Sequence, residues 1–149
     1  ADLAAAAQQF ALTCPTTSGS NGELVANSDN SDADAVVDAW YSGSAFYSFP
    51  VSGEPSLLNV SLWSDFTQLV WKSNLRVGCA WSAASTGCAS PIWACNFAPG
   101  GNYYGGFQDN VPERDIEPAD SRTRAPLHTS SADMICPPIL DRCKLTAHA

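Results

Sequence analysis

The chain has 149 residues, a formal net charge of −8, and 45% hydrophobic against 15% charged residues. This length and composition are typical of one folded domain rather than a disordered chain. The acidic balance excludes a nucleic-acid partner, because an acidic surface repels phosphate backbones as it repels anionic lipid headgroups. No run approaches the roughly 18 apolar residues of a membrane helix, so we expect no membrane span.

The first half of the chain is dominated by helical patterns. An apolar stripe at i, i+3, i+4 and i+7 predicts a helix over residues 1–11. Residues 15–31 are turn formers, with a short apolar break at 24–26. Ser31 and Asp34 form a capping-box pattern before a second predicted helix. Its apolar positions are Val36, Val37, Trp40, Tyr41 and Tyr47.

The second half predicts a helix followed by a hairpin. Ser61 or Ser64 can cap the helix, which we expect to end at Asn74. Alternating apolar residues predict strands over 76–82 and 91–97. Helices around a hairpin indicate an α+β sandwich of layers.

The six cysteines form no CxxC pair, and the only histidines, His128 and His148, lie in the C-terminal tail. A zinc site is therefore not expected, whereas three disulfides of an oxidising compartment are. The opening "ADLAAAAQQFALTC" does not have the pattern of a signal peptide, so we expect a secreted, extracellular protein whose signal has been removed. The sequon at Asn59 agrees with secretion and makes Asn59 a candidate glycosylation site.

Two segments identify a family resemblance. "DFTQLVWKSNLRVGCAW" and "IWACNFAPGGNYYGGF" closely resemble the C-terminal signatures of the CAP superfamily, which comprises cysteine-rich secretory proteins, antigen 5 and pathogenesis-related class 1 proteins. "AVVDAWYSGSAFYSF" resembles the family's preceding helix, and "SGSNGELVAN" its Gly-Glu-Asn-Leu turn, with wording most similar to the fungal branch. The resemblance implies a three-layer α-β-α sandwich with a disulfide-stapled antiparallel sheet over residues 1–107, followed by an irregular extension over residues 108–149.

The resemblance also implies a disulfide pattern. It joins Cys79 to Cys95 across the hairpin and Cys14 to Cys88 between the first helix and the hairpin loop. The remaining two cysteines lie outside the family's core and pair with each other by default. They are Cys136 and Cys143.

The sequence departs from the family at its metal-binding groove. Many members line this groove with two histidines and two glutamates. Here the first histidine falls at Thr17 or Ser18 and the second at Asp65, while the first glutamate is Glu23 and the second is Gly43. No imidazole remains, so we expect neither a metal nor another cofactor. The family's usual first helix also has no counterpart before the first residue of the chain.

Little catalytic chemistry is compatible with these residues. There is no GxSxG elbow and no core histidine to activate a serine, so we expect a protein that is not an enzyme. We expect Glu23 and Asp65 to be solvated or hydrogen-bonded residues of the groove, and two alternatives stay open. The two carboxylates could make a weak Ca²⁺ or Mg²⁺ contact, or they could act as the acid–base pair of a weak glycoside or peptide hydrolase.

Binding is the function that these departures leave. In fungal relatives the loop near "SAFYSFPVSG" is implicated in sterol contact, so the resemblance implies a lipid or sterol site. The alternative is a lectin-like site for a glycan, built from the acidic groove and the aromatic turn "GGNYYGG". The candidate residues are Phe46, Tyr47 and Phe49 for the lipid, and Glu23, Asp65, Asn102, Tyr103 and Tyr104 for the glycan.

The partner could also be a cell-surface receptor, in which case the protein would be an immunomodulatory or host-interaction effector. This hypothesis rests on analogy with the fold. The absent first helix would leave an apolar face uncovered, which favours a homodimer or a C-terminal tail that folds back.

Overall fold

The computed structural model describes residues 2–113, apart from positions 20, 30, 31, 51, 85, 86 and 112. The elements are α1 (Leu3–Ala11), β1 (Glu23–Asn27), α2 (Ala33–Tyr41), a 3₁₀ segment (Ser42–Phe46), α3 (Val60–Leu69), β2 (Arg76–Ser82), β3 (Ile92–Ala98) and α4 (Phe107–Asn110). No helix in the described part of the chain is long and apolar enough to cross a membrane.

The three strands form one antiparallel sheet in the order β1-β3-β2. Alternate residues of β3 enter different hydrophobic clusters, because side chains alternate between the faces of a strand. Ala94 packs with Ala7 and Ala11 of α1, whereas Trp93 packs with Trp40 of α2. The sheet therefore lies between helices, which is the α+β sandwich that the sequence predicts.

Two disulfides cross-link the described part of the chain, one within the sheet and one between α1 and the hairpin loop. Cys79 and Cys95 are direct partners in the register of β2 and β3. Cys14, just after α1, is bonded to Cys88 in the hairpin loop, across a sequence separation of 74. These are the two core pairs that the resemblance implies. The pair Cys136–Cys143 lies outside the described residues.

A third cluster, which we call the aromatic cluster, connects the 3₁₀ segment, α3 and α4. Its rings meet edge to face, an arrangement that aromatic quadrupoles favour. The ring centroids of Tyr47 and Trp63 are 5.3 Å apart, and those of Trp63 and Phe107 are 5.8 Å apart. The buried members are Tyr47, Trp63, Phe66, Trp71, Phe107 and Val111.

The prediction from the sequence did not include β1, and several of its helix boundaries were wrong. Residues 24–26 are the middle of an edge strand rather than a break in a loop. Asp32, not Ser31, is the N-cap of α2, and its carboxylate accepts a hydrogen bond from the Asp34 N–H at 3.0 Å.

The other two boundary predictions were also wrong. The second helix ends at Tyr41 and continues as the 3₁₀ segment, so it does not reach Tyr47 as an α-helix. The third begins after Asn59 and ends at Leu69, several residues short of the predicted end.

A tryptophan of α2 holds the edge strand. The indole N–H of Trp40 donates to the Val25 carbonyl at 3.1 Å in a buried position, whereas the indole N–H of the equally buried Trp71 has no hydrogen-bond partner. We expect Trp40→Phe to lower the free energy of unfolding by about 1–3 kcal/mol more than Trp71→Phe, because only the former leaves a buried carbonyl unpaired. Urea unfolding of both variants measures the difference, and equal losses would contradict this role.

Candidate functional site

Helix α3 lies between two cavities. Its residues Ser64, Asp65 and Gln68 line a cavity of about 160 Å³, which we call the polar cavity. Its residues Leu62 and Trp63 line a second of about 220 Å³, which we call the apolar cavity. Ser64 and Gln68 are four residues apart and share one face of the helix, whereas Trp63 points to another, so one helix contributes to both cavities.

Asp65 is the half-buried carboxylate of the polar cavity. Its carboxylate accepts a hydrogen bond from the Ser18 hydroxyl, and that hydroxyl accepts one from the Val25 N–H at 3.1 Å. Burial raises the pKa of Asp65, whereas the hydrogen bond from Ser18 acts in the opposite direction. The Ser18 hydroxyl is therefore held between the carboxylate and β1.

Glu23 lines the same cavity but is held by its own turn. Its Oε2 accepts a hydrogen bond from the Asn21 N–H at 2.9 Å, and its main-chain carbonyl accepts one from the Gly19 N–H at 3.1 Å. A Cβ at Gly19 would collide with this carboxylate, so a larger residue there would displace the Glu23 side chain. The two carboxylates thus share a cavity while each is bonded to a separate part of the protein.

Two amide side chains fix the remaining wall. Gln68 accepts a hydrogen bond from the Gly101 N–H at 2.9 Å through its Oε1. Asn102 donates from Nδ2 to the Ser64 carbonyl at 2.8 Å and accepts from the Thr67 hydroxyl at 2.7 Å. These bonds attach the loop after β3 to α3. They also engage the polar groups that a ligand would otherwise use.

Gly43 occupies the second glutamate position of the resemblance and does not line the polar cavity. It packs against the backbone of α3, where a Cβ would lie 2.8 Å from the Leu62 carbonyl oxygen and 3.1 Å from the Phe66 Cβ. A glutamate side chain has no room there. Within the described residues, no group of three or more His, Cys, Asp or Glu side chains could hold a metal ion.

The apolar cavity opens into an exposed hydrophobic surface, which we call the apolar patch. Phe46, Leu58 and Leu62 line the cavity while remaining 59%, 76% and 50% exposed. The patch comprises Phe46, Leu57, Leu58, Val60 and Leu62. Its sequence signal is the run "SLLNVSLW", which has five large apolar residues in and around the sequon.

The hydroxyl of Tyr47, which lines the apolar cavity, is buried without a hydrogen-bond partner. The same is true of Oε2 of Glu54, a residue that precedes the lining residue Pro55 but does not itself line the cavity. Burial, and secondarily the negative charge of Glu54, raise the pKa of Tyr47, so its hydroxyl stays a donor at neutral pH. Phe49, the third predicted lipid residue, does not line the cavity. Its ring contacts that of Tyr47 edge to face, with the ring centroids 4.9 Å apart.

The other predicted residues are divided between the two cavities and the surface. Asn102 lines the polar cavity, but Tyr103 and Tyr104 do not; they are 53% and 80% exposed, and Tyr103 contacts Trp71 edge to face. Asn59 is exposed at the start of α3, with a left-handed backbone (φ 56°) and no side-chain capping bond. It also lines the apolar cavity.

A family model described as "Cysteine-rich secretory protein family", CAP, matches residues 1–97. The chain belongs to the CAP family. Three positions that the resemblance assigns to the metal-binding groove, Ser18, Glu23 and Asp65, line the polar cavity of this CAP domain without an imidazole among them.

Three curated relatives are about one-third identical to this CAP domain over the aligned residues. They are human GLIPR1-like protein 1 (35% identity over 70 residues, 46% of this chain and 27% of that protein), Medicago truncatula pathogenesis-related protein PR-1 (35% over 70 residues, 47% and 38%) and mouse cysteine-rich secretory protein 3 (33% over 73 residues, 49% and 29%). The matches thus span 27% to 38% of these relatives' lengths.

The solved structure of BmVAL-1 is similar in fold. It has a TM-score of 0.54 at 20% sequence identity, over 74% of this chain and 62% of that one. At this identity the likeness bears on the fold alone.

The close contact of Gly43 with α3 gives a stability prediction. We expect Gly43→Ala to lower the free energy of unfolding by about 1–3 kcal/mol, because the new methyl group must displace the α3 backbone. Ala45→Ser, which adds one heavy atom at an exposed position of the same 3₁₀ segment, should change it little. Urea denaturation compares the two, and a stabilised Gly43→Ala variant would contradict the contact.

The raised pKa of Asp65 gives a pH dependence. Burial holds the pKa of Asp65 in the folded protein above its ordinary value of 3.8. The stability that comes from burying the protonated carboxyl group is therefore fully present below the unfolded pKa, and it is lost as pH rises through the folded pKa and the buried group ionises. We expect Asp65→Asn to raise the free energy of unfolding at about pH 7 and to have no such effect at about pH 3. Asp38→Asn, an exposed change of the same charge, is the control. A gain that increased toward acid pH would exclude burial as the dominant influence.

Proposed function

We propose that this CAP domain is a secreted, non-enzymatic binding protein for an apolar ligand, a sterol or another neutral lipid, at the apolar cavity and patch. The observation that carries this proposal is the concentration of exposed apolar side chains around one opening. Phe46, Leu58 and Leu62 form its wall and remain at least half exposed. Contiguous exposed apolar surface on a soluble domain typically marks a binding site.

The size of the cavity defines how such a ligand would bind. About 220 Å³ is below the roughly 300–1,000 Å³ typical of pockets that enclose a small molecule. One end of the lipid would therefore enter the cavity, and the rest would lie on the patch. At about 0.8 kcal/mol per buried CH₂ group, six such groups would supply about 5 kcal/mol.

The polar atoms at the cavity support a ligand with a hydroxyl end. The Tyr47 hydroxyl can donate and the Glu54 carboxylate can accept, and both have buried atoms without a partner. A single ligand hydroxyl could satisfy both, whereas the net charge of −8 disfavours anionic headgroups.

Binding without catalysis is supported by the polar cavity. The described residues include no histidine, and the Ser18 hydroxyl is already engaged by Asp65 and Val25. A weak hydrolase using Glu23 and Asp65 remains the alternative. This alternative requires that the protein hydrolyses a substrate from a panel of glycosides and peptides, and that Glu23→Gln abolishes the activity. If no substrate of the panel is hydrolysed, the hydrolase alternative is excluded.

Glycan binding is the second candidate function. It is favoured by the shared cavity of Glu23, Asp65 and Asn102, beside the exposed rings of Tyr103 and Tyr104. Because Asn102 already bonds to Ser64 and Thr67, fewer groups are free for sugar hydroxyls than the sequence indicated. A glycan-array signal lost in Tyr104→Ala would establish this function, and a silent array would exclude it.

The apolar patch also suits contact with a cell-surface receptor in an immunomodulatory or host-interaction role. Such a receptor would bury Leu58 and Leu62, which are exposed in the isolated domain. Surface plasmon resonance against candidate receptor ectodomains, with the variants described next, would test it.

The lipid proposal predicts the effect of charge on the patch. We expect Leu58→Asp with Leu62→Asp to weaken binding of a fluorescent sterol at least tenfold, because each carboxylate would have to be desolvated beside the ligand. Leu75→Asp is the matched control, since Leu75 is 63% exposed in the turn before β2. Fluorescence titration measures the affinities. Unchanged affinity in the double variant, or an equal loss in the control, would overturn the proposal.

A further inference from the structure

A modification motif lies at the rim of the apolar cavity. Asn59, Val60 and Ser61 form the only Asn-X-Ser/Thr sequon of the chain. Such a sequon is the acceptor of an N-linked glycan in a secreted protein. All three residues are exposed, and Asn59 itself lines the apolar cavity. A glycan attached to Asn59 would therefore start at the mouth of this cavity.

The local backbone accounts for only part of this motif. The φ of Asn59 is 56°, in the left-handed region that asparagine adopts more readily than most residues other than glycine. Asn59 precedes α3 but makes no side-chain capping hydrogen bond to it, so capping does not explain the amide group. A left-handed residue at position 59 also does not require a serine at position 61, whereas a sequon does.

Residues of the apolar patch surround the attachment point. Leu58 directly precedes Asn59, and Val60 directly follows it. The Leu62 N–H donates to the Asn59 carbonyl at 2.9 Å, and residues three apart are neighbours on a helix surface. The exposed fractions of Leu58, Val60 and Leu62 are 76%, 40% and 50%. The first sugars of a glycan at Asn59 would therefore have exposed hydrophobic side chains on both sides.

The chemistry of a glycan suits this surface. A sugar ring presents C–H groups on its faces and hydroxyl groups at its edge, so it can pack against Phe46 or Leu58 while its hydroxyls stay in water. A neutral glycan is also not repelled by the net charge of −8. It would cover apolar side chains that a soluble domain otherwise leaves exposed to association.

We infer that Asn59 carries an N-linked glycan, and that this glycan lies over the apolar patch and restricts entry to the apolar cavity. When it is attached, the Asn59 side-chain nitrogen bonds to the anomeric carbon of an oligosaccharide, and the bond from that carbon to a polyprenyl diphosphate breaks. The diphosphate leaves with the electron pair of that bond, and the amide nitrogen releases one proton. The inference rests on the secretion included in the proposed function, but it does not require that any lipid binds.

Mass spectrometry of the full chain, secreted from a eukaryotic host, tests the modification. We expect the peptide that contains Asn59 to carry an oligosaccharide, which peptide N-glycosidase releases while converting Asn59 to aspartate. Ser61→Ala should abolish the glycan, and Ser61→Thr should retain it because threonine also completes the sequon. Both changes are at an exposed position, so neither disturbs the core. An unmodified Asn59 in the secreted chain would overturn the inference.

Hydroxyl-radical footprinting tests where the glycan lies, because it oxidises side chains in proportion to their exposure. We expect oxidation of Leu58 and Leu62 to be roughly threefold or more lower in the glycosylated chain than in Ser61→Ala, since a bulky glycan excludes solvent from its neighbours. Leu75, which is 63% exposed in the turn before β2, is the control and should be oxidised equally in both proteins. Equal oxidation of Leu58 and Leu62 would place the glycan in solvent and overturn coverage of the patch.

Sterol titration of the same two proteins separates this inference from the proposed function. If sterol binds, we expect Ser61→Ala to bind it roughly threefold or more tightly than the glycosylated chain, because a covered site lowers the apparent affinity by the fraction of molecules in which the site is free. Equal or tighter binding by the glycosylated chain would contradict restricted entry. If sterol binds neither protein, the proposed function fails, while the glycan mass and the footprint still decide the inference.

Discussion

The position of α3 depends on the absence of a side chain at Gly43. A Cβ there would lie 2.8 Å from the Leu62 carbonyl oxygen, so the 3₁₀ segment reaches the helix backbone directly. This contact places α3 between the sheet side of the molecule and the aromatic cluster. Since Asp65 lines one cavity and Trp63 of the same helix lines the other, the position of α3 bears on both cavities.

The polar cavity shows what this protein has in place of a metal-binding groove. Three of the four positions implied by the resemblance meet there as Ser18, Glu23 and Asp65. The fourth, Gly43, has exchanged a possible ligand for close packing. Hydrogen bonds within the protein engage Ser18, Glu23 and Asp65, so the cavity is stabilised by the chain itself. The proposed binding surface therefore lies at the apolar patch rather than at this cavity.

The apolar patch presents a competition between possible occupants. A lipid and a glycan at Asn59 would both use the surface around Leu58 and Leu62. The acidic chain repels anionic lipid, so a neutral lipid is the better match to this surface.

Local features of this protein can be predicted from its sequence. Periodicity predicts α1, β2 and β3, and the signature residues identify the CAP family because they are short-range patterns. The pairing of residues 23–27 as an edge strand could not be predicted in this way, since it depends on a partner strand some 70 residues away. The tertiary structure likewise brought Glu23, Asp65 and Asn102 to one cavity, while Phe49 and Tyr104 remained outside the cavities. Residue type indicates what a side chain can bind, but the packing of distant elements decides which side chains share a site.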